Sequence, residues 1–91
     1  MSSVDVVVDA SGKLVVPGGV DAHTHMEMPF GGTMAADSFE SGTRAAAFGG
    51  TTTIVDFAIQ RCGERVFDGL EAWHDKALGE CAVDYGFHQI I

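Results

Sequence analysis

The chain contains few basic residues, and this shortage excludes one class of partner. Five Lys and Arg stand against 13 Asp and Glu in 91 residues, for a formal net charge of -8. With a pI near 4.6, such a chain repels phosphate backbones, so we expect no nucleic-acid partner. The acidity says little about which small molecule is bound.

Long hydrophobic runs are also missing. No stretch approaches the roughly 20 apolar residues of a membrane span, and the N-terminal residues have no basic region followed by a long apolar one. We therefore expect a cytoplasmic protein with no membrane partner. Cysteines are scarce as well: only Cys62 and Cys81 occur, without CxxC spacing. This pattern predicts free, buried thiols in a reducing compartment.

Apolar residues, by contrast, are plentiful. The chain is 46% hydrophobic with a mean hydropathy of +0.17, a composition that forms a core rather than a disordered segment. Ninety-one residues suffice for one small domain at most.

Hydrophobic periodicity predicts strands that alternate with helices. Residues 4–8 and 14–16 flank a turn signal and predict a β-hairpin. Residues 20–25 predict a strand, and the β-branched run 51–59 predicts another that is covered on both faces. A first helix should start with a capping-box-like pair, Asp37 and Glu40, and end at Gly49-Gly50. A second helix should begin near Val66 and end at Gly79, before a last strand over residues 83–91.

Each predicted helix has an apolar stripe that should face the sheet. The first stripe consists of Phe39, Gly42, Thr43, Ala46 and Ala47, and the second of Val66, Phe67, Leu70, Trp73, Ala77 and Leu78.

This order of elements predicts an α/β fold with a parallel sheet and right-handed crossovers. Three such strands begin either a doubly wound sheet or a (β/α)8 barrel. A barrel needs about 250 residues, so we interpret the chain as the front portion of a larger protein.

The candidate functional residues are two histidines one residue apart. In a strand, residues i and i+2 point the same way, so His23 and His25 should share one face with Asp21. Imidazoles suit zinc and other borderline divalent ions. An HxH pair alone is weak evidence, but this one closes a strand and opens onto a glycine-containing loop, where active sites of parallel α/β folds lie. Two ligands are too few for a catalytic site, so others must come from elsewhere.

The runs PGGVDAHTHMEMPFGGT, DSFESGTRAAAFGGTTTIVDF and VDYGFH resemble the dihydropyrimidinase and hydantoinase family of the amidohydrolase superfamily. The resemblance extends over essentially the whole chain. It implies that residues 18–91 form the first three strands and two helices of a (β/α)8 TIM-like barrel. Residues 1–17 would be a β-hairpin remnant of a flanking β-sandwich domain.

The resemblance also implies the cofactor. His23 and His25 would supply two ligands of a centre with two zinc ions per subunit. The carbamylated lysine that bridges the ions, the further histidine ligands and the catalytic aspartate have no counterpart here. No catalytic residue is therefore expected within this chain, and the 91 residues alone should be inactive. The whole protein is expected to be a homotetramer.

The implied reaction is hydrolysis of the cyclic amide bond of a dihydropyrimidine or hydantoin to an N-carbamoyl amino acid. An allantoinase-like or dihydroorotase-like enzyme and a non-enzymatic scaffold relative remain alternatives. Dihydroorotase-like relatives place an arginine after the histidines, whereas this chain has Met-Glu-Met. The loop should offer an apolar wall to an uncharged ring substituent, or else pack as ordinary hydrophobic residues. Its candidate pocket residues are Met26, Met28, Phe30, Gly31 and Gly32.

Four further polar residues carry expectations. Asp21 should either orient a ligand imidazole from behind or pack near the barrel floor. Asp56 interrupts an apolar strand and needs a partner, because a buried carboxylate is costly alone; we favour support of the metal site. His88 is expected to be a core histidine rather than a residue at the mouth of the site, and His74 a surface residue.

Overall fold

Three parallel strands form the centre of the fold. The computed structural model describes residues 3–91. Its elements are β1 (Gly19–Thr24), β2 (Pro29–Phe30), β3 (Thr33–Met34), α1 (Phe39–Phe48), β4 (Thr51–Ile59), α2 (Val66–Ala77) and β5 (Asp84–Ile90). The parallel sheet has the order β1-β4-β5, and β2 and β3 form a separate antiparallel hairpin. The predicted alternation of strands and helices and the parallel sheet are confirmed. No helix within residues 3–91 is long and apolar enough to cross a bilayer.

The central strand β4 has one closed and one partly open face. Ile54, Asp56 and Ala58 alternate along it and are buried, whereas Val55 and Phe57 between them are half-buried. The closed face packs against both helices. The core consists of Phe39, Ile54, Ala58, Trp73 and Ala77. The strand was predicted to be covered on both faces, but only the face that packs against the helices is fully covered.

Helix α1 begins one residue later than predicted. Ser38 is the N-cap: its hydroxyl accepts from the Ser41 N–H at 3.1 Å, and the Ser41 hydroxyl accepts from the Ser38 N–H at 3.0 Å. The assignment of the capping box to Asp37 and Glu40 was wrong, because the residue three positions after the true cap is Ser41. Glu40 instead forms an ion pair with Arg44 at 3.0 Å.

The helix stripes are narrower than the periodicity predicts. In α1 the first three stripe residues are buried, but Ala46 is half-buried and Ala47 exposed. In α2 the buried residues are Gly69, Trp73 and Ala77. The stripe positions Val66, Phe67 and Leu78 are 40%, 74% and 73% exposed; the first two open the helix and the third is its C-cap.

The β-hairpin predicted near the N-terminus is not formed. Its turn exists, with the Lys13 N–H donating to the Ala10 carbonyl at 3.0 Å, but neither 4–8 nor 14–16 is a strand. Val8 and Leu14 on the two sides of the turn are 81% and 93% exposed. A two-stranded hairpin is marginal unless a further surface covers its apolar side, and no other described segment does so.

Helix α2 comes very close to the sheet at Gly69. A Cβ added there would lie 2.7 Å from the Ile59 carbonyl oxygen. Gly→Ala in a helix interior normally stabilises by about 1 kcal/mol, but here the backbone must move. We expect Gly69→Ala to lower the free energy of unfolding by about 1–3 kcal/mol, measured by denaturant titration. Gly86→Ala is the control, because nothing lies within 4 Å of its added Cβ; equal losses in both variants would contradict the prediction.

Candidate metal centre

The two histidines predicted as ligands lie together at the carboxyl end of β1. Thr24 between them is buried against β4, so the imidazoles project from the opposite face of the strand. The Nε2 atoms of His23 and His25 are 3.1 Å apart. Two ligands of a tetrahedral zinc ion, each at about 2.0–2.1 Å, would be separated by about 3.3 Å. The pair therefore fits a shared metal ion with little adjustment.

Two imidazoles alone are too few for a complete metal site. Within residues 3–91, no group of three or more His, Cys, Asp and Glu side chains is placed to hold a metal ion. That the remaining ligands lie outside these residues stays a prediction.

Phe57 supports both imidazoles from the neighbouring strand. Its ring centroid lies 4.5 Å from that of His23 and 5.2 Å from that of His25. On its other side the ring lies 5.1 Å from His88, the residue paired with Phe57 in the register of β4 and β5. His88 is exposed, so the prediction of a core histidine was wrong: β5 turns it to the open face of the sheet. Its side chain shares that face with the pair.

Asp56 accepts hydrogen bonds from the residues on both sides of His25. Its Oδ2 atom accepts from the Thr24 hydroxyl at 3.0 Å and from the Met26 N–H at 2.7 Å. Its Oδ1 atom accepts from the Phe57 N–H at 2.9 Å and from the Trp73 indole N–H at 3.2 Å. The side chain is 0% exposed. The partner that a buried carboxylate requires is thus a ring of four donors, none of which is an imidazole.

Asp21 makes a different contact from the one expected. Its Oδ1 atom accepts from the backbone N–H of His23 at 3.2 Å. The register explains this, since Asp21 lies opposite Ile54 and Thr24 opposite Asp56. Three steps along β1 thus match two along β4, and this bulge-like irregularity interrupts the simple alternation of side chains. Orientation of an imidazole by Asp21 stays a prediction.

The loop after the pair forms a hollow beside His25. The β2–β3 hairpin turns at Gly31 and Gly32, whose φ angles of 58° and 80° favour glycine. The hollow has a volume of about 400 Å³ and is lined by His25, Met28, Phe30, Thr33, Met34 and Ala35. The sequence predicted Met28 and Phe30 correctly, but Gly31 and Gly32 form the turn and do not line the hollow, and the residues of β3 and the alanine after it were missed. Only the hairpin pairing reveals them.

Met26 does not line this hollow. It packs against the core, and a Cβ on Gly42 would lie 2.3 Å from its sulfur. The glycine in α1 therefore makes room for Met26, whose backbone N–H is the one held by Asp56.

Comparison with known proteins identifies the family. The sequence matches the amidohydrolase family over residues 14–89, which is most of the chain. The chain belongs to the amidohydrolase family. It is 74% identical over 85 residues to the D-hydantoinase of Streptomyces coelicolor, an alignment covering 93% of this chain and 18% of the relative. It is 48% identical over 85 residues to the dihydropyrimidinase of Rattus norvegicus, covering 93% and 16%.

Solved structures of relatives agree with this family. The crystal structure of the D-hydantoinase from Bacillus sp. AR9 superposes with a TM-score of 0.89 at 57% identity, over 92% of this chain and 18% of that one. The dihydropyrimidinase from Brevibacillus agri gives a TM-score of 0.80 at 46% identity, over 93% and 20%. The amidohydrolase chain described here thus spans about a fifth or less of the length of these relatives.

Glu27 is a supporting residue of this amidohydrolase chain that sequence analysis missed. Its φ of 50° lies in the left-handed region, which few residues other than glycine adopt. Its Oε2 atom accepts from the Phe39 N–H at the start of α1 at 3.0 Å, and its own N–H donates to the Asp37 carbonyl at 2.9 Å. A negative charge is favoured at a helix N-terminus. The two residues are 12 positions apart, too far for a local pattern to reveal the contact.

The histidine and the thiols away from the pair also have definite environments. His74 is exposed on α2, as predicted, with its ring 4.9 Å from Phe87. Cys62 is exposed, so the prediction of a buried thiol was wrong there, since it lies in the turn before α2. Cys81 is half-buried. Burial raises the pKa of the Cys81 thiol, and the negative charges of nearby carboxylates raise it further.

We expect the two thiols of the folded chain to react at different rates. A raised pKa leaves less thiolate at a given pH, and the thiolate is the nucleophile. Alkylation by iodoacetamide at about pH 8 should be at least about tenfold slower at Cys81 than at Cys62. The Cys81 rate should also keep rising to higher pH. Peptide mass spectrometry over time measures both rates, and Cys62→Ser isolates the slower one. Equal rates in the folded chain, rather than only in denaturant, would contradict this.

Proposed function

We propose that the whole protein carrying this chain is a metal-dependent cyclic amidohydrolase of the D-hydantoinase and dihydropyrimidinase type. Within it, His23 and His25 are two metal ligands. The observation that carries the proposal is the 3.1 Å approach of their Nε2 atoms at the end of β1. It occurs in a chain 74% identical to a D-hydantoinase over 85 residues.

The proposed architecture follows from the sheet. The strands β1, β4 and β5 with α1 and α2 would be the first units of a (β/α)8 barrel formed from residue 18 onwards, and residues 1–17 would belong to a flanking β-sandwich domain. The parallel order and the helices on one face support this. The face that carries the imidazoles would then be the barrel interior, and the carboxyl ends of the strands would be the active-site end.

The two histidines of this chain fit a zinc centre in ligand type and in the distance between their Nε2 atoms. Imidazole nitrogens suit zinc, and we propose that two ions are bound with a carbamylated lysine and further ligands from outside this chain. When bound, such a centre lowers the pKa of a bound water towards about 7. It also polarises the amide carbonyl of the substrate. The reaction adds water across the ring amide bond of a hydantoin or dihydropyrimidine, which gives an N-carbamoyl amino acid. In this proposal the chain contributes two metal-ligating histidines and one wall of the substrate pocket.

The hollow beside His25 favours a substrate with an uncharged ring substituent. Its lining residues are mostly apolar, and none is a lysine or arginine that could meet a substrate carboxylate. This favours the hydantoinase type over a dihydroorotase-like enzyme. The intact histidine pair favours an enzyme over a scaffold relative that lacks metal ligands.

We expect His23→Ala and His25→Ala in the whole protein to remove its metal and its activity. Each should lower kcat/KM for hydantoin and dihydrouracil by more than about 100-fold, since even residues behind metal ligands cost 10–100-fold. Metal content by mass spectrometry and hydrolysis rates are measured on the same samples. His74→Ala is the matched control, because that imidazole lies on α2, which packs on the other face of the sheet from the pair.

A second control is the isolated 91-residue chain, which should hold no stoichiometric metal and hydrolyse neither compound. It has two ligands only, and a sheet with free edges is prone to aggregate. Full metal content and turnover in His23→Ala would contradict the assignment of the pair. Turnover by the isolated chain would contradict the need for outside ligands.

Phe30 should contribute to substrate preference. It is 76% exposed and lines the hollow, so an apolar substituent can be buried against its ring. We expect Phe30→Ser to lower kcat/KM for 5-isopropylhydantoin by about tenfold relative to unsubstituted hydantoin, the effect of losing about 1.5 kcal/mol of apolar burial. Phe48→Ala is the control, because Phe48 is 91% exposed at the end of α1. An unchanged ratio of the two substrates in Phe30→Ser would contradict the assignment.

A further inference from the structure

The hydrogen bonds of Asp56 converge on the residues that position the histidine pair. Thr24 and Met26 are the immediate neighbours of His25 in the chain, and each donates to Asp56 Oδ2, at 3.0 and 2.7 Å. A third donor is the backbone of Phe57, whose ring packs on both imidazoles. Three of the four donors to this carboxylate therefore belong to residues that flank or support the pair.

The fourth donor joins the carboxylate to helix α2. The Trp73 indole N–H donates to Asp56 Oδ1 at 3.2 Å, and the indole is 2% exposed. The Lys76 ammonium lies 3.9 Å from the centre of the Trp73 ring and 3.5 Å from the carbonyl oxygen of Glu27. Helix α2 is thus joined to the segment after the pair directly, through Lys76 and Glu27, and indirectly, through Trp73 and Asp56.

We infer that Asp56 is a positioning residue for the histidine pair, and that Trp73 fixes its orientation, so that the docking of α2 sets the metal affinity of His23 and His25. The inference rests on the proposed function, because it requires that the pair holds a metal ion. Asp56 acts through the Thr24 hydroxyl and the Met26 backbone N–H, on the two sides of His25, and accepts no hydrogen bond from an imidazole.

An asparagine cannot replace this carboxylate. Both oxygens accept two hydrogen bonds each, whereas one side of an amide is an NH₂ group that only donates. In Asp56→Asn, either the two donors beside His25 or the two from Phe57 and Trp73 lose their acceptor. The chain on the two sides of His25, or the Phe57 ring beside both imidazoles, is then less firmly held. Groups that hydrogen-bond a metal ligand directly change metal affinity about 10–100-fold; Asp56 acts one residue further away, so we expect the lower end of that range.

The test measures zinc affinity of the whole protein by chelator competition, together with the midpoint of unfolding. Asp56→Asn should weaken zinc binding by about 10-fold or more. Thr24→Val removes one donor and should weaken it less, whereas Thr24→Ser keeps the hydroxyl and should restore it. Trp73→Phe removes the indole N–H together with part of the buried ring volume, and it should also weaken binding.

Thr43→Val is the matched structural control. Thr43 is 0% exposed in α1, and its hydroxyl donates to the Phe39 carbonyl and accepts from the Ala82 N–H at 2.9 Å. It is a buried hydroxyl in another bond network, with no hydrogen bond to the pair. Its loss should lower stability but leave zinc affinity within about twofold, since distant sites act independently.

The outcomes separate this inference from the proposed function. Wild-type protein that holds no metal would overturn the proposed function, and the inference with it. Wild-type protein that holds zinc while Asp56→Asn binds it equally well would overturn the inference alone. So would equal weakening by Asp56→Asn and Thr43→Val, because the effect would then be general loss of structure. If Asp56→Asn does not fold, Thr24→Val and Trp73→Phe decide: unchanged affinity in both overturns the inference.

Discussion

A buried carboxylate on the central strand is the constraint on which this fold depends. Asp56 is fully buried, and a carboxylate in that position is costly unless hydrogen-bond donors surround it. The donors come from β1, from the segment after it, from β4 itself and from α2. Strand and helix must therefore dock in one register to satisfy it. Apolar packing alone is not directional and would tolerate several registers. The carboxylate thus selects one arrangement of β1 and α2 from those that the hydrophobic core permits.

The elements that the sequence predicted well are those set by local periodicity and by glycine. The β-branched run of β4 has the predicted bounds, and both helices end near the predicted glycines. The wrong predictions concern the start of α1, which a single local hydrogen-bond exchange decides, and the N-terminal hairpin, which has no described surface to pack against. The start of α1 depends on a single exchange between Ser38 and Ser41, which the acidic pair beside it concealed. The valines of residues 4–8 have strand propensity but no described surface to cover them, and propensity without burial does not make a strand.

The site was predictable only along β1. The i, i+2 spacing of the histidines predicts a common face, and the structure brings their Nε2 atoms together at the end of β1. The groups that hold them are distant in sequence: Asp56 reaches Thr24 across 32 positions and Met26 across 30. A lone acid in an apolar strand signals that some partner exists, but it carries no information about which one. The contact of Glu27 with α1 and the lining of the hollow by β3 were also unpredictable, because both depend on how the loop between β1 and α1 folds.

The histidine pair shows what this arrangement does for chemistry. At 3.1 Å, the two Nε2 atoms are within hydrogen-bonding distance, and their donor and acceptor roles depend on the tautomers. Both nitrogens need free lone pairs to ligate an ion, and their separation is already close to the value of about 3.3 Å for two ligands of one zinc ion. In the proposed metal centre, the hydrogen bonds of Asp56 with the Thr24 hydroxyl and the Met26 N–H would therefore affect metal affinity without touching the metal.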